Sequence, residues 1–413
     1  MYKRRTMKDK YFYGYNILGA CFLIQAMCIG VLVTFGIFFN EFQNEFGWSR
    51  ATISGAAALG TIIMGAASIL SGRLNDRIGP RIIIASAGIL IGIGYILMSF
   101  IQEPWQLFLL YGVIIAAGYS AIDIIPLSTI ARWFVKRRGM MSGIVKIGTG
   151  LGQLLIPLVV TGIIISYGWR NSYIIIGIVL MIALPVIARV LRRDPQEIGL
   201  LPDNNHEGPD ISGTASADPG VTFNIAIRSK QLWLFSFAWF TLLFCTLTIL
   251  LHIVPHAIDL GLPQKTAAGI ISTIGAVSML GRICMGMISD RIGGKRAMII
   301  SIIMFLCGLI WLQIARDPWE LFLFASINGF AHGALYTLIP LIVAELFGTR
   351  SHGVLFGIVW FGGHIGGAIG PLLTGYIFDV TGSYQIAFLI LAGMAVTGLL
   401  LTSFLKPLLE SSG

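Results

Sequence analysis

Charge is scarce in this chain. Asp, Glu, Lys and Arg together make up 11% of its 413 residues, while 56% are hydrophobic. A soluble domain carries roughly 25% charged residues, so a water-exposed surface of ordinary size cannot be built. Cysteine is equally sparse. Cys21, Cys28, Cys245, Cys284 and Cys307 all fall inside apolar stretches at unrelated spacings, which excludes a loop disulfide framework and a CxxC metal site. No GxxxxGK[ST] string and no HExxH string occurs. ATP-driven pumping and zinc hydrolysis therefore have no support. No catalytic constellation, cofactor or metal site is expected, and the chain does not read as an enzyme.

What the chain does have is long apolar runs. Mean hydropathy is +0.84, and segments of ~20 residues, enough to cross a bilayer, can be drawn at 13–39, 51–71, 82–101, 105–131, 140–166, 173–191, 231–258, 267–288, 297–315, 321–346, 354–378 and 385–405. The first is too long for a signal-peptide core and lacks a small-x-small cleavage site, so it reads as a retained helix.

The basic residues give these segments a direction. Of the 28 Lys and Arg, only Arg50, Arg170, Lys265 and Arg316 fall on one side, and Lys146 and Arg282 fall within segments. The others, from Lys3, Arg4, Arg5, Lys8 and Lys10 to Lys406, share the side of both termini. This is the positive-inside asymmetry of a multi-pass cell-membrane protein with cytoplasmic termini. The net charge of +9 then reflects topology and contact with anionic lipid rather than nucleic acid.

The chain also repeats itself. At one constant offset Gly72, Asp76, Arg77 and Gly79 fall on Gly286, Asp290, Arg291 and Gly293, and Glu103-Pro104-Trp105 falls on Asp317-Pro318-Trp319. Pro126, Gly139, Gly148, Gly152 and Pro157 fall on Pro340, Gly353, Gly362, Gly366 and Pro371. A gapless repeat of six segments predicts two bundles of the same hand about an axis along the membrane normal. The expected fold is an all-α membrane protein of twelve transmembrane helices, with bundles at 1–191 and 231–413 and a polar, Gly/Pro/Ser-rich linker at 192–230.

The strings GRLNDRIGPR (72–81) and GMISDRIGGKR (286–296) resemble the signature of the major facilitator superfamily. Within it, FGWSR (46–50) and RDPQEIGLLPD (193–203) resemble the monocarboxylate porters and the oxalate/formate antiporters. The resemblance implies a central cavity lined by helices 1, 4, 7 and 10, with helices 2, 5, 8 and 11 between the bundles. It also implies a polar latch of Asp76, Arg77, Asp290 and Arg291 at the inner face.

Polar residues inside hydrocarbon are costly and mark candidate sites. Arg282 is the sharpest: an intramembrane guanidinium with Ser278 and Gly286 one turn away and no acid beside it. Its planar fork suits a carboxylate. Lys146 lies close enough to Gly139 for its stem to carry the ammonium to the inner surface. Tyr119 and Asp123, four residues apart, share one face of the fourth segment. Asn328, His332 and Tyr336 form a stripe on the tenth, and Trp360 and His364 lie on the eleventh. The His252/His256 pair has no third ligand and does not make a metal site. The glycines around 148–152 and 362–370 have small-xxx-small spacing and read as helix-packing positions.

The expected function is secondary transport of a small monocarboxylate such as lactate with a proton. Arg282, Tyr119, Asn328, His332, Tyr336, Trp360 and His364 are the expected substrate contacts, and Asp123, His332 or His364 the proton carrier. The alternative is carboxylate exchange of the oxalate/formate type. Expected partners are the anion, H⁺ and the lipid bilayer, with no nucleic acid, and the protein is expected to be a monomer.

Overall fold

Twelve long helices account for nearly all of residues 12–204 and 220–408, which the computed structural model of the chain describes. The basic cluster Lys3–Lys10 and linker residues 205–219 lie outside them. Helix α1 is Gly14–Phe46, α2 Arg50–Ile78, α3 Pro80–Met98 and α4 Pro104–Trp133. The next stretch, Arg138–Ala188, is broken where Gly168 takes φ 77° and ψ 163°, which gives α5 (138–167) and α6 (169–188). The second half holds α7 Lys230–Asp259, α8 Gln264–Ile292, α9 Gly294–Leu312, α10 Pro318–Phe347, α11 His352–Thr381 and α12 Gln385–Ser403.

Several helices outrun the apolar segments that predict them. Helix α1 continues past position 39 to Phe46, and α2 past 71 to Ile78. Hydropathy registers the hydrocarbon-length core of a helix, whereas caps set its ends. Ser49 Oγ accepts from Thr52 N at the start of α2. Gln106 accepts from Glu103 N at 3.0 Å, and Glu320 accepts from Asp317 N at 3.0 Å. The repeated acid-Pro-Trp string is thus the same helix start used twice. The repeated Gly79 and Gly293 sit at φ 84° and φ 88°, a left-handed turn that excludes a Cβ and reverses the chain between α2–α3 and α8–α9.

Glycines bring backbones together within each half. A Cβ on Gly152 would lie 1.9 Å from Ala26 O of α1, and one on Gly366 would lie 2.2 Å from Phe240 O of α7. The small-xxx-small runs are packing positions, as their spacing predicts. Other glycines join the halves, with α2 against α11 and α5 against α8. Gly72 faces the carbonyl of Gly353, and Gly139 that of Gly286, so closely that an added Cβ would lie 2.1 and 2.2 Å from them. Both contacts lie at the end where the linker and the helix termini α1, α6, α7 and α12 gather.

Candidate functional site

Between the halves lies a cavity of about 810 Å³. Its far part is walled by apolar residues such as Leu32, Leu154, Leu250 and Ile271, and its deep part by Asp123, Lys146, Arg282, His332, Tyr336, Trp360 and His364. It widens away from the linker, where Ser272, Gly275 and Ala276 of α8 are exposed. Toward the linker it is sealed. Hydrogen bonds between the halves run from mid-membrane, at Arg282 and Lys146, through Ser68 Oγ to Gly357 O and down to the two aspartates of the repeat.

Arg282 lies on α8 with 6% of its surface exposed. Nη1 donates to the Lys146 carbonyl at 2.6 Å, and among the described residues the buried Nε has no partner. Glycine at 150 lets α5 approach α8 here, since a Cβ there would lie 2.7 Å from the Met279 Cε. Beside it, Lys146 Nζ pairs with Asp123 Oδ1 and stands 5.4 Å from the centre of the Trp360 ring. Gln25 of α1 donates to the same Oδ1 at 3.0 Å and accepts from Thr149 at 2.7 Å. Among the described residues Asp123 Oδ2 accepts no hydrogen bond, and the side chain is 18% exposed. The Tyr336 and His332 rings meet at a tilt with centres 5.0 Å apart, and among the described residues the buried His332 Nδ1 has no hydrogen-bond partner. His364 Nδ1 donates to Trp360 O at 2.9 Å.

The structure gathers Arg282, Asp123, His332, Tyr336, Trp360 and His364 at one cavity. It corrects three other expectations. Lys146 does not reach for the membrane surface: its ammonium meets a carboxylate at mid-membrane, where an ion pair is cheaper than a lone charge. Tyr119 does not face the cavity; its hydroxyl meets that of Tyr95 at 3.2 Å in an aromatic cluster with α3. Asn328 does not line the cavity either and sits against Gly308 of α9. Eight residues along a helix rotate a side chain by ~80°, so Tyr336 can line the cavity while Asn328 cannot. His252 bonds to Tyr384 and Pro371 O, and His256 packs on Tyr384 and Phe388, away from the cavity.

At the linker end the two expected aspartates reach across between the halves, and an arginine that was not expected joins one of them. Asp290 accepts from Gly139 N and Met140 N of α5. Asp76 accepts from Gly353 N and Val354 N of α11. Its ionic partner is Arg132 at 2.7 Å, which also reaches Thr349 O. Arg77 and Arg291 are exposed, because both point outward from helix ends. Buried His352 adds a further link: Nε2 donates to Pro340 O at 2.8 Å, which leaves Nδ1 to accept from Ser128 Oγ at 3.0 Å. Gln25, Arg132 and His352 escaped the sequence reading. Gln25 left the clearest signal, an amide in the middle of an apolar segment.

A family model described as Major Facilitator Superfamily matches residues 19–288 and 266–412. Monocarboxylate transporter 13 of Rattus norvegicus is 27% identical over 390 residues, covering 94% of this chain and 87% of the relative. Monocarboxylate transporter 12 of Mus musculus is 25% identical over 424 residues, covering 95% and 85%. Among solved structures, the fold resembles that of FucP in its outward conformation, with a TM-score of 0.74, 15% identity and coverage of 95% and 98%. It also resembles the proton:xylose symporter XylE, with a TM-score of 0.75, 14% identity and coverage of 95% and 96%.

Proposed function

The chain belongs to the major facilitator superfamily, and we propose that this transporter carries a small monocarboxylate together with a proton by alternating access. One observation carries the reading: Arg282, at 6% exposure, keeps Nε unpartnered beside the cavity. A buried guanidinium short of a partner is costly, and a substrate carboxylate supplies one bidentately. Trp360 and Tyr336 beside it favour a short chain. The named monocarboxylate transporters among its relatives support the same class.

A proton as co-substrate removes a voltage cost. Moving one net charge across 100 mV involves ~2.3 kcal/mol, and an anion moved with H⁺ avoids it. Asp123, His332 and His364 are the titratable groups placed to take that proton. In this reading the units 1–191 and 231–413 rock about the cavity, tethered by 192–230, in the cell membrane with both termini cytoplasmic. The protein works as a monomer.

Carboxylate exchange is the second reading, and one observation favours it. Lys146 stands next to Arg282, so a dianion could meet two cations if Asp123 gave up Lys146. Counterflow in liposomes tests both readings. External labelled lactate should enter against unlabelled internal lactate, and an outward-alkaline pH gradient should alter net flux. Exchange of dicarboxylates with no response to pH would replace the first reading with the second, and no counterflow with either would reject both.

A further inference from the structure

At the linker end of the second half, a groove of about 430 Å³ opens on the outer surface of the helices. Its mouth carries Arg228, Ser229 and Lys230, and its floor is Trp233, Leu234, Phe237 and Leu401. The mouth is where the short helix Phe223–Arg228 meets α7, and Leu401 comes from the end of α12. Trp233 and Phe237 are one turn apart and are 56% and 51% exposed. In a membrane helix such exposure faces acyl chains. The Trp233 indole is held as a wall by its bond to Ile227 O at 2.9 Å. Arg228 and Lys230 are exposed, and among the described residues neither joins an ion pair.

We propose that this groove is a binding site for one anionic phospholipid, with its phosphate between Arg228 and Lys230 and one acyl chain along Trp233, Leu234, Phe237 and Leu401. The arrangement is amphipathic in the same sense as the ligand. Two unpaired cations stand at the level of the helix ends, and an apolar trough runs from them along α7 toward the hydrocarbon. A free phosphate would satisfy the cations and leave the trough unused, and a zwitterionic lipid would bring its own cation to the mouth. Each Lys or Arg near an anionic surface contributes ~1 kcal/mol, so two cations predict a preference of roughly thirtyfold for an anionic over a zwitterionic headgroup. The bound lipid would also hold the linker helix; two residues before its start, Val221 donates to Phe347 O at 2.9 Å beside the α10–α11 turn.

The test uses full-length protein in mild detergent and native mass spectrometry, with phosphatidylglycerol and phosphatidylcholine of matched chains in competition. The wild type should retain phosphatidylglycerol with a preference of about thirtyfold. Arg228→Gln/Lys230→Gln should bring that preference within about threefold. Lys136→Gln/Arg137→Gln, which removes two exposed cations from the same end of the other half, should leave it unchanged. Trp233→Ala should weaken retention of both lipids alike. No preference in the wild type, or equal loss in the two double variants, overturns the site. Should the Arg228/Lys230 variant be recovered unfolded, a photoreactive phosphatidylglycerol on the wild type decides. Cross-links at 228–237 and 401 support the site, and cross-links confined elsewhere overturn it.

Discussion

Asp290 of α8 accepts hydrogen bonds from the amides of Gly139, at 2.6 Å, and Met140, at 2.9 Å, and so caps α5 of the opposite half. The repeat does the same in reverse, with Asp76 capping α11 at Gly353 and Val354, at 3.1 and 3.0 Å. Each half thus supplies the carboxylate that neutralises the N-terminal dipole of a helix in the other. If the halves rock as proposed above, these bonds break when the linker end opens. Asp290→Asn keeps one acceptor and loses the charge, which weakens closure by ~1 kcal/mol, about fivefold in population. Counterflow rate should change more than the equilibrium affinity measured by calorimetry. An equal loss of affinity would sink the assignment of Asp290 to the latch.

Gly72→Ala tests the same closure sterically. The added Cβ would stand 2.1 Å from Gly353 O and 2.4 Å from its carbonyl carbon, and a backbone atom cannot turn aside as a side-chain tip can. The variant should fold with the linker end held open and lose transport by about tenfold or more, as a barrier increase above ~1.4 kcal/mol dictates. A single cysteine at Ser351 should become more reactive to a thiol reagent in this variant. Gly162→Ala, with no atom within 4 Å of its Cβ, should match the wild type in both measurements.

The fold was legible because hydrophobic length and a gapless repeat are one-dimensional signals. Arg282 was legible for a related reason: a charge inside Ala267–Ile288 stands out whatever surrounds it. Contacts between one helix and another were not. The Asp123–Lys146 pair joins α4 to α5, and Arg132 meets the Asp76 carboxylate of α2; no spacing within one helix announces either. The shared face of Tyr119 and Asp123 was real, yet a face spans ~100°, wide enough for one side chain to meet Tyr95 while its neighbour meets Lys146.

Tyr119→Phe separates cavity lining from helix packing. Among the described residues its hydroxyl bonds only to Tyr95, at 3.2 Å, so removing it should cost ~1 kcal/mol of stability and change lactate affinity by less than about threefold. Thermal unfolding and calorimetry on the same sample read the two effects. A tenfold loss of affinity without a loss of stability would return Tyr119 to the substrate site.

Asp123→Asn addresses the proton. Empty, the cavity holds Lys146 and Arg282 against Asp123, one net positive charge; an anion alone cancels it, and an anion with a proton on Asp123 restores it. Loaded and empty carriers then cross the membrane with equal charge. Asparagine cannot take the proton, so the variant should keep lactate counterflow, lose accumulation driven by a pH gradient and become sensitive to an imposed potential. Retention of proton-driven, voltage-independent uptake would move the proton to His332 or His364, to be read in the corresponding glutamine variants.

Arg282 carries the strongest expectation. Its Nη1 is already committed to the Lys146 carbonyl at 2.6 Å, which fixes the guanidinium plane and leaves Nε for the substrate. Truncating one member of a desolvated charge pair costs ~2–5 kcal/mol, roughly thirtyfold to several-thousandfold in affinity. Arg282→Gln should lose lactate binding by that amount. Arg282→Lys should fail as well, because an ammonium keeps the charge but cannot donate both to the Lys146 carbonyl and to two carboxylate oxygens in one plane. The loss should appear in equilibrium affinity, unlike that of Asp290→Asn, since Arg282 acts on the bound anion as well as bridging the halves. Calorimetry on purified, folded protein decides. If Arg282→Gln binds lactate within about threefold of the wild type, less than ~1 kcal/mol, the carboxylate lies elsewhere, and Lys146, the other cation of the cavity, becomes the group to substitute next.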